Sequence, residues 1–332
     1  MPQYPGTAEP LLRRATLTGL GHYLPRNIVS NADLSQRVDT SDEWITERTG
    51  IKQRHFASPD ETAGFMAAQA AREALKAAGV EADAVDAIIL ATSTPDQAFP
   101  ATAVHVQAAL GAKRAFGFDI SAACSGFIFA LSVADSMIRA GQVNNVLVIG
   151  SEVYSRILNF EDRGTCVLFG DGAGAALLQA RDVPRAGPGI LSTHLHSDGT
   201  LADILYVDGA VGQRDKTGYL IMNGREVFRH AVHLLSSAVN EALLAHDLTV
   251  KDIDWLVPHQ ANRRIIDGVG KRLGLPPERV VITVDSHANT SAASIPLALW
   301  QAVKDGRIKA GQLILLEALG GGLTWGSALL RL

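Results

Sequence analysis

Two distant stretches of this chain read as copies of each other. Asp86-Ala-Ile-Ile-Leu is matched by Asp254-Trp-Leu-Val-Pro, 168 positions later. Asp119-Ile-Ser-Ala-Ala-Cys is matched by Asp285-Ser-His-Ala-Asn, 166 positions later. A period of that length is too long for a solenoid, whose units run to about 50 residues. It means two similar halves, each large enough to hold a core of its own. We place them at residues 12–185 and 186–332. The join falls in ARDVPRAGPG (180–189), where proline and glycine cluster and the pattern breaks.

Within each half, short apolar runs alternate with helical patterns. The helical windows are 61–79, 100–110, 124–140, 224–246, 261–273 and 291–305. Gly79 and Gly141 stop two of them, and Pro100 opens another in a position suited to a first turn. Residues 87–93, 115–121, 145–151, 174–180, 254–258, 280–285, 312–318 and 327–332 read as strands. Apolar strands alternating with helices give an α/β fold whose mostly parallel sheet is covered on both faces. In such sheets, functional groups collect beyond the carboxyl ends of the strands. Three turns lie there: those carrying Cys124, the residues after Pro258, and Asn289.

Composition removes several classes of function. Apolar residues make up 47% of the chain and charged residues 19%, so it folds into a globule. A net charge of −4 argues against non-specific nucleic-acid binding. Two cysteines do not make a disulfide scaffold and fit a reducing cytosol. No apolar run reaches membrane-spanning length, and MPQYPGTAEP shows no signal-peptide pattern. The expectation is a cytoplasmic protein with no nucleic-acid or membrane partner.

Cys124 follows a strand by a turn of small residues and opens a helix. Unpaired N–H groups and the helix dipole at that point favour a thiolate and can hold an oxyanion. The bland reading of a free cysteine is a small buried hydrophobe, which suits Cys166 in GTCVLFG. His259 and Asn262 lie in VPHQANRR, where capping or packing would also explain them. Asn289, in DSHANTSAAS, reads equally as a turn or N-cap residue. Their shared location raises all three: cysteine, histidine and asparagine fall on strand-to-helix turns at one end of the sheet.

FGDGAGAALL superficially resembles a phosphate-cradling loop. The segment after it reads as a strand, so we take it as a tight turn rather than a dinucleotide site. LGGGLTWGS lets backbone approach a ligand and can present an N–H. His194 and His196 in THLHSDG lack a third metal ligand and read as two residues on one strand face. NRRIIDGVGKRLG is basic on one side, with Arg264 and Lys271 seven residues apart. That face is either solvated surface or a dock for an acidic partner.

Together DISAACSGF, VPHQANRRI, HANTSAAS, FGDGAGAAL and LGGGLTWGSALL resemble β-ketoacyl-acyl carrier protein synthase III, the condensing enzyme that starts type II fatty-acid synthesis. VDTSDEWITERTGIKQRH (38–55) is similar to its N-terminal signature. The likeness runs from about residue 15 to the C-terminus. Asparagine beside the cysteine and histidine separates this branch from the elongating synthases, thiolases and hydroxymethylglutaryl-CoA synthases. Chalcone-type synthases share it but lack the TSDEWITERTG opening. A degradative thiolase would need a second catalytic cysteine, and Cys166 is not placed for it. A related synthase that primes a polyketide or other secondary metabolite with the same triad is the alternative.

The resemblance implies a thiolase-like fold, five-layered αβαβα with internal duplication, and a homodimer. It implies acyl-CoA and malonyl-acyl carrier protein as substrates, with no cofactor beyond the CoA thioester itself and no metal. By residue it implies Cys124 as nucleophile, His259 and Asn289 as its catalytic partners, and the N–H groups of Cys124 and Gly321 as oxyanion hole. Trp44, Arg48, Arg163 and Asn262 would contact CoA. Phe99 would reach the partner's acyl pocket, and Leu319 would form a wall of that pocket. Arg229, Arg264 and Lys271 would dock the carrier protein. Two positions depart from the family pattern: Ala288 stands where glycine is common, and Leu319 where an aromatic is common. Both bear on acyl length and branching.

Overall fold

The computed structural model describes residues 10–209, 215 and 218–332. The opening stretch read for a signal peptide therefore lies, up to residue 9, outside the described residues. Among the described residues, besides two small two-stranded sheets, Asn27–Ser30 with Gln53–Phe56 and Leu205–Val207 with Leu220–Met222, the chain builds two large ones. The first contains β1 (Leu12–Tyr23), β2 (Ala87–Ala91), β3 (Phe116–Ile120), β4 (Asn145–Val153) and β5 (Asp171–Val183), in the order β1-β5-β4-β2-β3. The second contains β6 (Gly189–Ser197), β7 (Trp255–Pro258), β8 (Leu313–Gly320) and β9 (Thr324–Arg331), in the order β6-β9-β8-β7. β2 runs parallel to β3 and β4, while β5 is antiparallel to β4 and β1. Likewise β7 is parallel to β8, and β9 is antiparallel to β8 and β6. A parallel bridge from Leu256 to Val280 stands where β3 stands in the first sheet. One topology is used twice.

Among the described residues, the helices of eight residues or more are α1 (Asp42–Thr49), α2 (Ala63–Ala78), α3 (Thr102–Leu110), α4 (Gly126–Arg139), α5 (Gly224–Leu244), α6 (Arg263–Leu273) and α7 (Ser294–Lys304). α2 and α3 cover the outer face of the first sheet, and α5, with α6 beside it, covers that of the second. α4 and α7 lie between the sheets and touch both. This gives the expected five layers, αβαβα. One apolar cluster joins Ile89 and Val148 of the first sheet to Ile314 and Leu316 of the second, through Phe127 and Leu131 of α4 and Ile295 and Leu299 of α7. Burial on both faces explains why β2 is apolar at every position.

Three local expectations are corrected. α3 begins at Thr102, beyond Pro100, because the Asp119 carboxylate accepts from the N–H groups of Thr102 (2.6 Å) and Ala103 (2.8 Å) and caps the helix there. The glycines of FGDGAGAALL are not a tight turn; from Asp171 onward they are the interior of β5. A Cβ on Gly174 would lie 2.7 Å from Pro296 Cβ and 2.8 Å from Leu297 N, so glycine lets α7 lie on the strand. Residues 280–285 do not form a regular strand. The Gln260 side chain replaces the ladder: its amide donates to Val281 O, and its Oε1 accepts from Thr283 N–H and Val284 N–H.

The structure also adjusts the register of the repeat. Ala123 (φ 43°) and Ser291 (φ 49°) are both left-handed and open matching 3-10 turns, Ala123–Ser125 and Ser291–Ala293. These turns touch each other and lie 168 positions apart. The counterpart of Cys124 is thus Ala292, not the residue at an offset of 166. The second copy inserts a helical turn, Val284–His287, on its way to the site. Ala292 rests on the first sheet, where a Cβ added to Gly150 would meet its carbonyl oxygen at 2.2 Å. Gly150→Ala should therefore lower stability by about 1–3 kcal/mol or more, because backbone must move to admit the methyl. The check is the urea midpoint, and an unchanged midpoint would show that this contact is not tight.

Candidate active site

β3 delivers Cys124 through left-handed Ala123 into the first 3-10 turn, where the residue is 5% exposed. The turn is braced by the Ser125 hydroxyl, which donates to Ala122 O (2.7 Å) and meets Thr324 Oγ1 (2.7 Å). It rests on the second sheet: a Cβ on Gly320 would lie 2.7 Å from Cys124 N. Burial pushes the thiol up to about 12, a hydrogen bond from Ser291 pulls it down, and the nearby Glu152 charge pushes it up. This corrects the expected resting thiolate. Burial of the sulfur favours its neutral form over the charged one, against the pull of the N–H groups at the turn.

His259 follows β7. Its N–H donates to Glu317 O at 2.8 Å, and its Nδ1 lies 2.6 Å from Ser294 Oγ. Burial pushes the imidazole down to about 3, so the ring is neutral. With Nδ1 engaged, Nε2 is the nitrogen left for the cavity. Asn289 is held to the first half by backbone: its N–H donates to Leu168 O, and its carbonyl accepts from Gly170 N–H, both at 3.0 Å. Its Oδ1 accepts from Ser291 N–H at 2.9 Å, which leaves the amide N–H groups for the cavity. The preceding Ala288 has φ 57° and ψ −162°, a conformation that glycine adopts more easily.

One cavity of about 830 Å³ brings most of the candidates together. Cys124, His259, Asn289 and Leu319 line its buried part, with the half-buried Gly321. Trp44, Arg48, Asn262 and Arg264 line its more exposed part. Trp44 and Arg48 share a face of α1, and the Arg48 guanidinium sits 4.5 Å from the Trp44 ring centre. Arg163 does not line the cavity, but its guanidinium is 5.2 Å from the same ring. Asn262 caps α6 by accepting from Ile265 N–H at 3.0 Å, and still faces the cavity.

The remaining candidates lie outside the cavity. Phe99 is 85% exposed on the surface. Arg229 is exposed and pairs with Glu226, and Lys271 is exposed in the last turn of α6. His194 and His196 lie on one face of β6 and both reach Glu241, at 3.3 and 2.6 Å.

Sequence reasoning missed Glu152, Ser291, Ser294 and Arg225. Glu152 is fully buried and accepts from the hydroxyls of Thr92, Ser93, Thr94 and Ser291 and from Ser93 N–H. Its only sequence signal is an acid ending the apolar strand NVLVIGSEV. Arg225 lines the exposed part of the cavity but lies outside any motif.

A duplicated αβαβα core with cysteine, histidine and asparagine in one buried pocket defines a thiolase-fold condensing enzyme. Residues 118–199 match the family 3-oxoacyl-[acyl-carrier-protein] synthase III, and residues 243–332 match its C-terminal family. The chain is 68% identical over 96% of its length to all of the β-ketoacyl-[acyl-carrier-protein] synthase III of Acidiphilium cryptum. It is 64% identical over 97% of its length to all of that of Granulibacter bethesdensis. Among solved structures, the 3-oxoacyl-[acyl-carrier-protein] synthase III of Aquifex aeolicus superposes with a TM-score of 0.91 at 48% identity, over 96% of this chain and 100% of that one. The priming β-ketosynthase of the R1128 polyketide pathway superposes equally well at 39% identity, over 98% and 99%. The chain belongs to the β-ketoacyl-acyl carrier protein synthase III family, acyltransferases that carry out the initiating condensation of fatty-acid synthesis.

With the thiol near 12, alkylation of Cys124 by iodoacetamide in the free enzyme should climb about tenfold per pH unit from pH 7 to 10. An imidazole titrating near 3 is already neutral throughout that range, so His259 should add no inflection. A rate plateau below pH 8 would overturn the resting-thiol assignment.

Proposed function

We propose that the enzyme condenses a short acyl group from CoA, acetyl in the first instance, with malonyl-acyl carrier protein. The observation that carries this is the shared cavity, whose buried part is lined by a thiol, an imidazole whose Nδ1 is engaged by Ser294, and an amide whose oxygen is already occupied by Ser291 N–H. Cys124 sulfur attacks the thioester carbon while the N–H groups of Cys124 and Gly321 hold the oxyanion. The bond from that carbon to CoA sulfur breaks, and CoA departs as a thiol with the cysteine proton. Malonyl-carrier protein then enters. His259 Nε2–H and the Asn289 amide hold its thioester oxygen, which becomes enolate-like as CO₂ leaves. The freed electron pair forms a bond to the acyl carbon, and the Cys124 thiolate leaves and is reprotonated from solvent. Decarboxylation supplies the driving force, so the scheme needs no metal or redox cofactor.

Trp44, Arg48, Arg163 and Asn262 would receive CoA, with the arginines suited to its phosphates. Arg229, Arg264 and Lys271, with Arg225 beside them in sequence, would dock the acidic carrier. β3 is an edge strand on which Phe116 is 47% exposed, and Phe99 projects nearly bare from the surface. Both features support a homodimer in which Phe99 enters the partner's cavity. Two free cysteines support a reducing, cytoplasmic location. The polyketide-priming reading rests on the R1128 relative. Turnover with malonyl-CoA in preference to malonyl-carrier protein would favour it.

Incubation with acetyl-CoA should add one acetyl mass, on the peptide that carries Cys124, and Cys124→Ala should abolish it. His259→Ala and Asn289→Ala should still acetylate but lose malonyl decarboxylation by about 10²-fold or more. Normal decarboxylation by either variant would refute the division of labour. Separately, the double variant Arg264→Glu/Lys271→Glu should raise KM for malonyl-carrier protein at least tenfold, with the effect shrinking at high salt. An unchanged KM would remove the docking assignment.

A further inference from the structure

The proposed chemistry requires a proton on Nε2 of His259, and a neutral imidazole carries only one. Something must keep that proton off Nδ1. We infer that Ser294 is the positioning residue that does so, by donating its hydroxyl hydrogen to Nδ1. Three observations support this.

The contact is short and buried: Nδ1 to Ser294 Oγ is 2.6 Å, with His259 5% and Ser294 2% exposed. Second, Ser294 Oγ already accepts a hydrogen bond, from the Gln260 N–H at 3.3 Å. Third, among the described residues the only other hydrogen-bond partner of that oxygen is Nδ1 itself. If Nδ1 carried the proton, Ser294 would accept twice and its own hydroxyl hydrogen would be buried without an acceptor, which folded proteins avoid. If Ser294 donates, every group is satisfied and Nε2–H faces the cavity.

The same short stretch fixes the other donor. Ser291 N–H occupies Asn289 Oδ1, so the side-chain amide can turn only its N–H groups to the cavity. Ser291 and Ser294 lie one turn apart where the second 3-10 turn runs into α7. That stretch therefore sets the polarity of both donors: one by a backbone N–H, which no side-chain substitution removes, and one by a hydroxyl, which Ser294→Ala deletes.

The inference rests on the proposed role of His259 as an N–H donor, and the experiment separates the two. Enzyme labelled with ¹⁵N-histidine, with His259 assigned by comparison with His259→Ala, should show the proton on Nε2. In Ser294→Ala the signal should shift toward the Nδ1–H form, and in Ser294→Thr it should return. In parallel, kcat for decarboxylation of malonyl-carrier protein should fall at least tenfold in the alanine variant with KM little changed, and recover in the threonine variant. Acetylation of Cys124 in each variant reports that the site is folded. A proton on Nδ1 in the unmodified enzyme overturns the inference, as does an alanine variant that retains Nε2–H. If instead His259→Ala decarboxylates normally, the donor role of His259 fails, while the tautomer measurement still decides what Ser294 does.

Discussion

The site depends on a reciprocal contact between backbones. Each half supplies a left-handed residue and a 3-10 turn, and each turn sits on a glycine of the other half's sheet. Cys124 rests on Gly320 of β8, and Ala292 rests on Gly150 of β4, at distances where a Cβ would collide with main chain. Gly126 fits between them: a Cβ there would be 3.0 Å from Ala91 Cβ and 3.5 Å from Ala292 Cβ. Close-packed backbone cannot yield gradually. The separation between the nucleophile and its partners is therefore set by the meeting of two sheets rather than by loop conformation. The bonds of Asn289 to Leu168 and Gly170 add a second tie across the same junction.

A dry junction makes polar satisfaction demanding. Cys124, His259 and Asn289 are each about 5–6% exposed. Asn289 spends its acceptor on a neighbouring serine and keeps a donor for the cavity, and in the tautomer we infer His259 does the same. Glu152 lies beneath them. Five donors favour its anion even as burial raises its pKa, and they bind the ends of β2 and β4 to Ser291. Its charge opposes a thiolate on Cys124. The sulfur is thus held as a thiol until a thioester carbon is present. Glu317 adds a carboxyl pushed up to about 8 by burial, so at neutral pH it is mostly protonated and places little further negative charge behind His259.

The alternation of strands and helices, the duplication and the location of the triad were readable in the residues for a physical reason, whereas the five layers followed from the family resemblance. Strands buried on both faces write continuous apolar runs, and the duplication writes each signal twice. What the sequence concealed were contacts made by one side chain across a long separation. Ser291 reaches Glu152 from 139 positions away, and Ser294 reaches His259 from 35. Neither pair leaves a periodicity. The same limit explains the local errors. Asp119 decides where α3 starts, from 17 positions beyond it, and Gln260 replaces a strand ladder with one amide. The thiolate expectation failed because position at a helix terminus is visible in sequence, whereas the depth of burial that overrides it is not.

The two departures from the family pattern act on different quantities. Ala288 carries a positive φ that costs a residue with a Cβ on the order of 1–3 kcal/mol. It persists because both sides are fixed: Ala288 N–H bonds Val284 O, and Asn289 N–H bonds Leu168 O. The strain therefore does not move the donor that follows it, and the methyl, fully buried in the outer core, offsets part of the cost by packing. Ala288 is accordingly a matter of stability. Leu319 is different, because it forms cavity wall beside the nucleophile. One methylene of pocket volume is worth about 1–3 kcal/mol of discrimination, so exchanging an aromatic ring for a branched aliphatic chain is enough to change which acyl groups fit. In the proposed reaction, acyl preference would be set by this wall together with whatever closes the cavity near the sulfur. In the proposed dimer that closure is Phe99 of the second subunit, which makes primer selection a property of two chains although the chemistry belongs to one.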